Sequence, residues 1–477
     1  MNKISFAVLT GLLGSCLANA QIHPISWDAW GGGPQRSGWE KTDIRLAKDN
    51  AKDIQLLWKR KLDNGPIGKR ELLPPIVLGN LISYQGFKEL AMVAGSSGNI
   101  WAIDADLNRV FWKRHLDTVT SIDPTPDCPG GLTSAPALMP PRSIFGGGPY
   151  HRPKPGAIRQ APIYAVSNDG MLHRLNPSTG DDLYPAVSFL PANAKASSLA
   201  AFDDVLYTTT SGSCNGAPNA VWAIDMSGNP EKVSGKVASF VTKGGEPVGL
   251  GGPVVAGDGT VYVQTSDGKV DALTAKTLQP KGYFEIPSGA ADVTPAVLDF
   301  QAHQLIVSAS KDGRLYLLNS QSFAGEHTAD LDRTQPLSSD GISGAFATWI
   351  DPDSGTHWIF ASVEGSVEGA NAPHGAIVAF QVEEQNGRPA LKRAWVAPMD
   401  SPVPPVITKG IVFALATGPQ SHATLYALDA TTGKQLYSTG DQVTAPGDAT
   451  GITVANGRVY FATTDNTVWQ FGIFLEH

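Results

Sequence analysis

The chain has 477 residues and a formal net charge of −8 at neutral pH, from 36 basic and 44 acidic side chains. This acidic balance argues against a nucleic-acid-binding protein, whose surface would carry an excess of Lys and Arg. Glycine (51) and proline (35) are frequent, and charged residues make up only 17% of the chain. Such a composition is typical of a turn-rich all-β protein.

The first twenty residues carry a lysine, an apolar run and, at their end, the small-residue sequence Ala-Asn-Ala. This pattern predicts a secretory signal peptide cleaved after Ala20, and therefore a periplasmic or secreted protein. A lipoprotein signal is the alternative, because the sequence Leu-Gly-Ser-Cys ending at Cys16 resembles a lipobox and would leave an acylated cysteine. No other stretch is long and apolar enough to cross a bilayer, so no transmembrane segment is expected.

Beyond a lead-in segment at 21–53, the chain repeats one pattern of short strands. The copy at Gly251 to Glu285 reads as PVVA, TVYVQT, KVDALT and GYFE, with Asp-Gly turns after the first two. Short strands joined by such turns are typical of tight antiparallel hairpins. A repeat of roughly 40 to 50 residues built in this way predicts a β-propeller blade. Eight copies are recognisable, at Pro75–Leu116, Ser134–Leu190, Ser197–Phe240, Gly251–Glu285, Thr294–Ala329, Gly344–Ala397, Pro402–Ser438 and Gly451–Phe474.

The ends of the repeat array predict how the ring closes. The last repeat lacks a fourth strand, and IQLLWKRKL at Ile54 to Leu62 resembles VFWKRHL, which ends the first repeat at Leu116. We therefore expect an all-β fold, an eight-bladed β-propeller of four-stranded antiparallel blades, whose N- and C-terminal strands share the last blade. Residues 54–477 would form this single domain.

The repeat resembles a known family. The sequences ALDATTGKQLY and AIDADLNRVFW are similar to the repeat of the pyrroloquinoline-quinone (PQQ) propeller superfamily, and the lead-in WDAWGGGPQRSGW resembles that of bacterial PQQ-like repeat proteins. The superfamily includes quinone-dependent dehydrogenases and also propellers without cofactor, such as the lipoprotein of the outer-membrane β-barrel assembly machine. The resemblance therefore implies a fold and leaves the function open. It also implies that an aromatic residue ending each repeat docks between neighbouring blades, here Trp58, Trp112, Tyr184, Trp395 and Tyr437.

The cysteines depart from the dehydrogenase pattern. The soluble alcohol dehydrogenases of the superfamily carry two adjacent cysteines beside the quinone, and this sequence has no adjacent pair. No Cys-x-x-Cys-His occurs either, so no attached c-type haem is expected. If the leader is removed, Cys128 and Cys214 remain, in connections expected on the same face of adjacent blades. In an oxidising compartment this arrangement predicts a disulfide.

Polar residues precede several innermost strands. They lie on what we call the inter-blade face, which carries the connections between blades and the turns between second and third strands. Converging carboxylates there could hold a cation such as Ca²⁺, and the candidates are Glu71, Asp292, Asp340, Asp400 and Asp448. Arg70 and Lys311 could bind the carboxylates of PQQ, with Thr133 and Ser134 as further cofactor contacts. Asp292 or Asp340 would serve a dehydrogenase as catalytic base. The alternative is that these acids cap solvated loops.

Two functions remain open on the sequence. The first is an exported, non-catalytic binding or scaffold protein of the cell envelope, monomeric, with a protein or glycan partner. The second is a PQQ- and Ca²⁺-dependent periplasmic dehydrogenase that oxidises alcohols or sugars. The missing cysteine pair and haem motif favour the first function, while the acidic residues on the inter-blade face keep the second open.

Overall fold

A computed structural model describes residues 26–65, 72–83, 86–116, 125, 127–139, 161–228, 236–301, 303–323, 330–418 and 422–474. The predicted signal peptide, the lipobox residue Cys16 and the predicted site residues Arg70 and Glu71 lie outside these ranges. Within them the chain is almost entirely β-structure. None of the helices in this described part is long and apolar enough to span a membrane.

The strands form eight sheets, one for each predicted blade. The lead-in contributes β1 (Trp39–Glu40) and β2 (Gln55–Lys61). Blade 1 consists of β3 to β6 (Ile76–Ser83, Gly86–Ala94, Asn99–Asp104, Arg109–His115). Blade 2 consists of β7 to β10 (Ala137–Leu138, Ile163–Val166, Met171–Leu175, Val187–Ser188). Blade 3 consists of β11 to β15 (Lys195–Ala196, Ala200–Phe202, Val205–Ser211, Ala220–Asp225, Lys236–Val241), and blade 4 of β16 to β19 (Val254–Val255, Val261–Gln264, Lys269–Leu273, Pro280–Glu285).

The second half of the ring repeats this plan. A short strand β20 (Val293–Thr294) runs parallel to the first strand of blade 6. Blade 5 consists of β21 to β24 (Ala296–Phe300, His303–Ala309, Leu315–Asn319, Asp330–Arg333), and blade 6 of β25 to β28 (Ile342–Ile350, His357–Val363, Ala376–Gln385, Arg388–Pro398). Blade 7 consists of β29 to β32 (Val406–Thr408, Ile411–Ala416, Thr424–Asp429, Gln435–Ser438), and blade 8 begins with β33 to β35 (Thr453–Ala455, Arg458–Thr463, Thr467–Gly472). Short 3-10 helices lie at Trp30–Gly32, Lys48–Asp53, Cys214–Gly216, Ser320–Ser322 and Gly440–Gln442.

The Asp-Gly turns form the hairpins as the sequence predicts. In blade 4, Gly268 has a φ of 101° and its N–H donates to the carbonyl of Thr265 (2.9 Å). The side chain of Asp267 accepts a hydrogen bond from the Thr265 hydroxyl (2.6 Å). Glycine adopts a positive φ without steric cost, so this turn can reverse the chain within two residues.

The predicted ring closure is confirmed. Strand β2 pairs antiparallel with β35 and becomes the fourth strand of blade 8, with Gln55 opposite Gly472 and Lys61 opposite Thr467. Trp58, in the middle of β2, donates its indole N–H to the carbonyl of Ala105 in blade 1 (2.8 Å). The N-terminal strand therefore completes blade 8 and links it to blade 1.

The same tryptophan contact recurs at two other blade interfaces. Trp112 of blade 1 donates to Pro177 O of blade 2 (2.7 Å), and Trp395 of blade 6 donates to Ala430 O of blade 7 (2.9 Å). Each ring covers a glycine of the next blade, because a Cβ at Gly180 or Gly433 would lie 2.7 or 2.8 Å from ring atoms. These tryptophans dock between blades, as the family resemblance implied.

The two tyrosines in this predicted set have other surroundings. Tyr437 packs against the buried cluster that joins blades 7, 8 and 1. Tyr184 lies beneath the guanidinium of Arg174, which belongs to the same blade, at 4.7 Å from the ring centroid. Tryptophan therefore makes the inter-blade hydrogen bond at this repeat position in blades 8, 1 and 6.

Candidate functional site

The lead-in fills the centre of the ring. Residues 27–43, which we call the hub, form hydrogen bonds with the innermost strands of blades 1, 2, 4, 5, 6 and 7. The bonds are Trp27 N–H to Val77 O (2.9 Å), Val77 N–H to Trp27 O (3.1 Å), Leu138 N–H to Asp28 O (2.7 Å), Val255 N–H to Pro34 O (2.8 Å), Val297 N–H to Gln35 O (3.0 Å), Thr348 N–H to Ser37 O (2.7 Å) and Ile407 N–H to Gly38 O (2.7 Å). Only a segment that crosses the axis can reach so many blades.

Two side chains of the hub extend it to the remaining blades. Trp30 donates its indole N–H to Thr450 O of blade 8 (2.9 Å), and its ring packs on Gly251, where a Cβ would lie 2.5 Å from ring atoms. Arg36 is fully buried and donates to Ser198 O and Leu199 O beside blade 3 (both 3.1 Å), and to Trp30 O (2.5 Å). Burial lowers the pKa of Arg36 to about 9, so its guanidinium stays charged at neutral pH. The hub therefore joins all eight blades through polar contacts.

A cavity of about 440 Å³ opens on the inter-blade face, and residues of the blades and connections from blade 1 to blade 5 line it. Leu73, Leu132 and Leu250 line it, and these three belong to the apolar cluster that also contains Trp30. Six Ser and Thr residues also line it: Ser96, Thr133, Ser197, Thr209, Ser211 and Ser266. Among them, the Thr209 hydroxyl donates to that of Ser197 (2.8 Å). The cavity thus combines an aliphatic base, supported by the hub, with polar walls.

Four charged side chains line the cavity: Lys195, Glu246, Asp292 and Lys311. Asp292 Oδ1 accepts the N–H of Gly249 (2.8 Å), and Glu246 Oε2 accepts the N–H of Gly212 (2.8 Å). The carboxylates are therefore held in place by the backbone. In the part of the chain that the structure describes, neither lysine forms an ion pair with these carboxylates or with any other acid.

Of the predicted site residues that the structure describes, three lie together and the others lie elsewhere. Thr133, Asp292 and Lys311 all line the cavity. Ser134 is buried, and its hydroxyl donates to Ala135 O (3.3 Å). Asp448 is buried as well and accepts the N–H of Leu72 (3.3 Å), which links blade 8 to blade 1.

The other two predicted carboxylates are exposed and outside the cavity lining. Asp340 lies beside Gly365, and it is Gly365 that belongs to the turn between the second and third strands of blade 6. Asp400 accepts a hydrogen bond from the neighbouring Ser401 hydroxyl (3.4 Å). Asp340, Asp400 and Asp448 therefore lie apart from the cavity that Asp292 lines.

The residues described here do not fit a calcium ion. Ca²⁺ takes six to eight oxygen ligands, whereas no three His, Cys, Asp or Glu side chains within the described ranges are grouped so that they could hold a metal ion. Lys195 and Lys311 could bind carboxylates of PQQ, but the described lining contains no aromatic side chain to stack on its rings. We therefore derive no reaction step through PQQ or Ca²⁺.

The predicted disulfide is confirmed and lies beside the cavity. Cys128 and Cys214 are bonded, with their Cα atoms 5.6 Å apart, and they are 86 positions apart in sequence. Pro129, Gly130 and Lys195 line both the cavity and a small recess formed by the two cysteines. The disulfide therefore ties the connection between blades 1 and 2 to blade 3 and fixes one wall of the cavity.

Sequence reasoning missed Lys195 and Glu246. They lie in the connections that lead into blades 3 and 4: Lys195 is five residues before β12 and Glu246 eight before β16, whereas Asp292 is four before β21. A search limited to residues just before each innermost strand therefore passes over Glu246.

Comparison with known proteins agrees with this architecture. The family model described as outer membrane protein assembly factor BamB matches residues 363–473, which span blades 6 to 8. No curated protein sequence matches the chain.

Several solved structures share the fold. Quinohemoprotein alcohol dehydrogenase from Comamonas testosteroni is similar with a TM-score of 0.60 at 14% identity, over 96% of this chain and 82% of that one. A europium-containing methanol dehydrogenase gives 0.61 at 12% identity, over 94% and 98% of the two chains. BamB from Moraxella catarrhalis gives 0.51 at 15% identity, over 89% and 99%. At such identities the likeness establishes the fold alone: a PQQ-like eight-bladed β-propeller, of which blades 6 to 8 also match the family model.

Proposed function

We propose that the protein is an exported, non-catalytic binding protein of the cell envelope, and that its ligand site is the cavity between blades 1 and 5. The observation that carries this proposal is the set of four charged side chains that line the cavity without pairing. Glu246, Asp292 and Lys311 are exposed to solvent, and a backbone N–H group holds one oxygen of each carboxylate. Such fixed groups favour binding because little order must be gained when a ligand arrives.

The dehydrogenase remains the second candidate, and one observation favours it. Asp292 and Lys311 line the same cavity, so a base and a cation stand near one another as quinone-dependent oxidation of an alcohol would require. The fold shared with dehydrogenases is compatible with this candidate, but it assigns no role to any residue.

Reconstitution distinguishes the two candidates. The purified full chain would be incubated with PQQ and Ca²⁺, and dye reduction would be followed with a panel of alcohols and sugars. We expect no turnover dependent on PQQ, and equal melting temperatures in Ca²⁺ and in EDTA. Calcium-dependent dye reduction that disappears in Asp292→Asn would contradict the proposal and establish the enzyme.

Export is tested separately. Cell fractionation and intact-mass measurement of the mature protein should place it outside the cytoplasm with Gln21 as its first residue. A mass that includes acyl chains on Cys16 would instead establish a lipoprotein, and a cytoplasmic protein with an intact leader would contradict export.

A further inference from the structure

The charge pattern of the cavity restricts its ligand. Lys195 and Lys311 supply two positive charges, and Glu246 and Asp292 supply two negative ones. The backbone bonds from Gly212 and Gly249 occupy one oxygen of each carboxylate, and the second oxygen has no partner among the described residues. A purely anionic or purely cationic ligand would meet two attractive and two repulsive groups. A ligand with both charges can satisfy the attractive partners of each sign.

Backbone contacts locate the four charged side chains. Glu246 bonds Gly212, and Lys195 pairs with Ser211, the residue before Gly212, so these two residues lie beside blade 3. Asp292 and Lys311 come from the connection into blade 5 and from a turn of that blade. Each of these two pairs offers one acceptor for an ammonium group and one donor for a carboxylate.

The rest of the lining consists mainly of aliphatic, Ser and Thr side chains. Leu73, Leu132, Val248 and Leu250 contribute methyl groups, and several Ser and Thr side chains contribute hydroxyls. Quinone rings and sugars that bind by stacking would find no aromatic surface in the described lining. The volume of about 440 Å³ lies within the range of about 300–1,000 Å³ that is usual for small-molecule sites. Small aliphatic side chains on a short backbone match this surface.

We infer that the cavity binds a short peptide that carries a free amino terminus and a free carboxyl terminus, with small aliphatic side chains. The inference rests on the proposed binding function and adds the class of ligand. The peptide ammonium contacts Asp292 or Glu246, its carboxylate contacts the lysine of the other pair, and its side chains lie on the leucines.

Calorimetry with blocked peptides tests this inference. The disulfide-intact full chain would be titrated with trialanine, N-acetyl-trialanine, trialanine amide and the doubly blocked peptide. We expect trialanine to bind, and each single block to weaken binding about tenfold or more, which corresponds to about 1.4 kcal/mol. Asp292→Asn and Lys311→Met should each weaken trialanine binding by a similar factor, without a change in melting temperature. Asp340→Asn, an exposed acid outside the cavity lining, is the matched control and should bind as the parent does.

The outcomes separate the inference from the proposed function. Equal binding of the doubly blocked peptide, or no binding of any peptide, overturns the inference. If an oligosaccharide or PQQ binds instead, without turnover, and Asp292→Asn weakens that binding, the cavity is a binding site for another class of ligand. If PQQ binds and supports turnover, both the inference and the proposed function fail.

Discussion

The hub and the cavity share the apolar cluster that contains Trp30, but their polar groups differ in how they pair. In the hub, backbone groups and two buried side chains reach hydrogen-bond partners in all eight blades. In the cavity, four charged side chains stand together and none pairs with another. Pairing holds the ring closed, since each satisfied group in the hub fixes one blade against the axis. The unpaired groups contribute little to the fold, and this is why we assign them to a ligand.

Removing Trp30 should have the largest effect on stability. Trp30→Ala is expected to lower the free energy of unfolding by about 3–5 kcal/mol, because it leaves a void at the axis and an unpaired carbonyl at Thr450. Trp30→Phe keeps most of the ring and loses the hydrogen bond, and should cost about 1 kcal/mol. Urea unfolding followed by circular dichroism measures both. A Trp30→Ala protein as stable as the parent would show that the hub does not hold the ring.

Breaking the disulfide should have the next largest effect on stability. It closes a loop of 86 residues, and the double variant Cys128→Ser, Cys214→Ser should lose about 2–4 kcal/mol. It should also weaken ligand binding, because the cavity wall is no longer tied to blade 3. Thermal unfolding of the oxidised, reduced and double-variant proteins makes this measurement. Unchanged binding after reduction would show that the wall keeps its shape without the cross-link.

The tryptophan contacts between blades also depend on a paired polar group, since each indole N–H donates to a carbonyl of the next blade. Gly433→Ala would place a Cβ 2.8 Å from the ring of Trp395 at a φ of 73°, and should cost about 2–3 kcal/mol. Gly355→Ala is the matched control, since its φ is 71° and nothing lies within 4 Å of the added Cβ. It should cost about 1 kcal/mol. If both variants lost the same free energy of unfolding, the contact with Trp395 would add no cost beyond that of the positive φ.

Asp271 in β18 extends the comparison to an unpaired charge away from the cavity. Burial raises its pKa to about 6 from 3.8, so the folded state binds its proton more tightly than the unfolded chain does. The protonated side chain therefore favours the folded state, and this stabilisation is lost as the pH rises from about 4 to 6. Asp271→Asn should be about 1–2 kcal/mol more stable than the parent at pH 7 and equal to it near pH 4. Equal stabilities at pH 7 would contradict the shift.

The sequence predicted the ring well because the ring is repetitive. Hairpin turns and strand alternation recur eight times, and the similarity of the strand at Trp58 to the one at Trp112 indicated the closure. The disulfide followed from the faces on which the two connections lie. These features depend on local patterns or on topology, both of which a repeat makes visible.

The site was harder to predict because it depends on what fills the axis. From the sequence, the acids before each innermost strand could either converge on the axis or cap solvated loops, and no pattern decides between the two for Asp340 and Asp400. The lead-in offered one signal that went unused, a Gly-Gly-Gly stretch between Trp30 and Arg36 that lets the chain turn inside the channel. Its partners are single backbone groups on distant blades, which no sequence pattern marks.

Hydrogen–deuterium exchange of the full chain, with and without saturating trialanine, tests most directly whether the axis is structural and the cavity functional. We predict that amides bonded to the hub, those of Val255, Val297, Thr348 and Ile407, exchange slowly and equally in both states. Peptides covering 246–250 and 289–292 should become more protected when trialanine is present. Protection of residues 27–43 by ligand, with no change in the two cavity segments, would contradict the account.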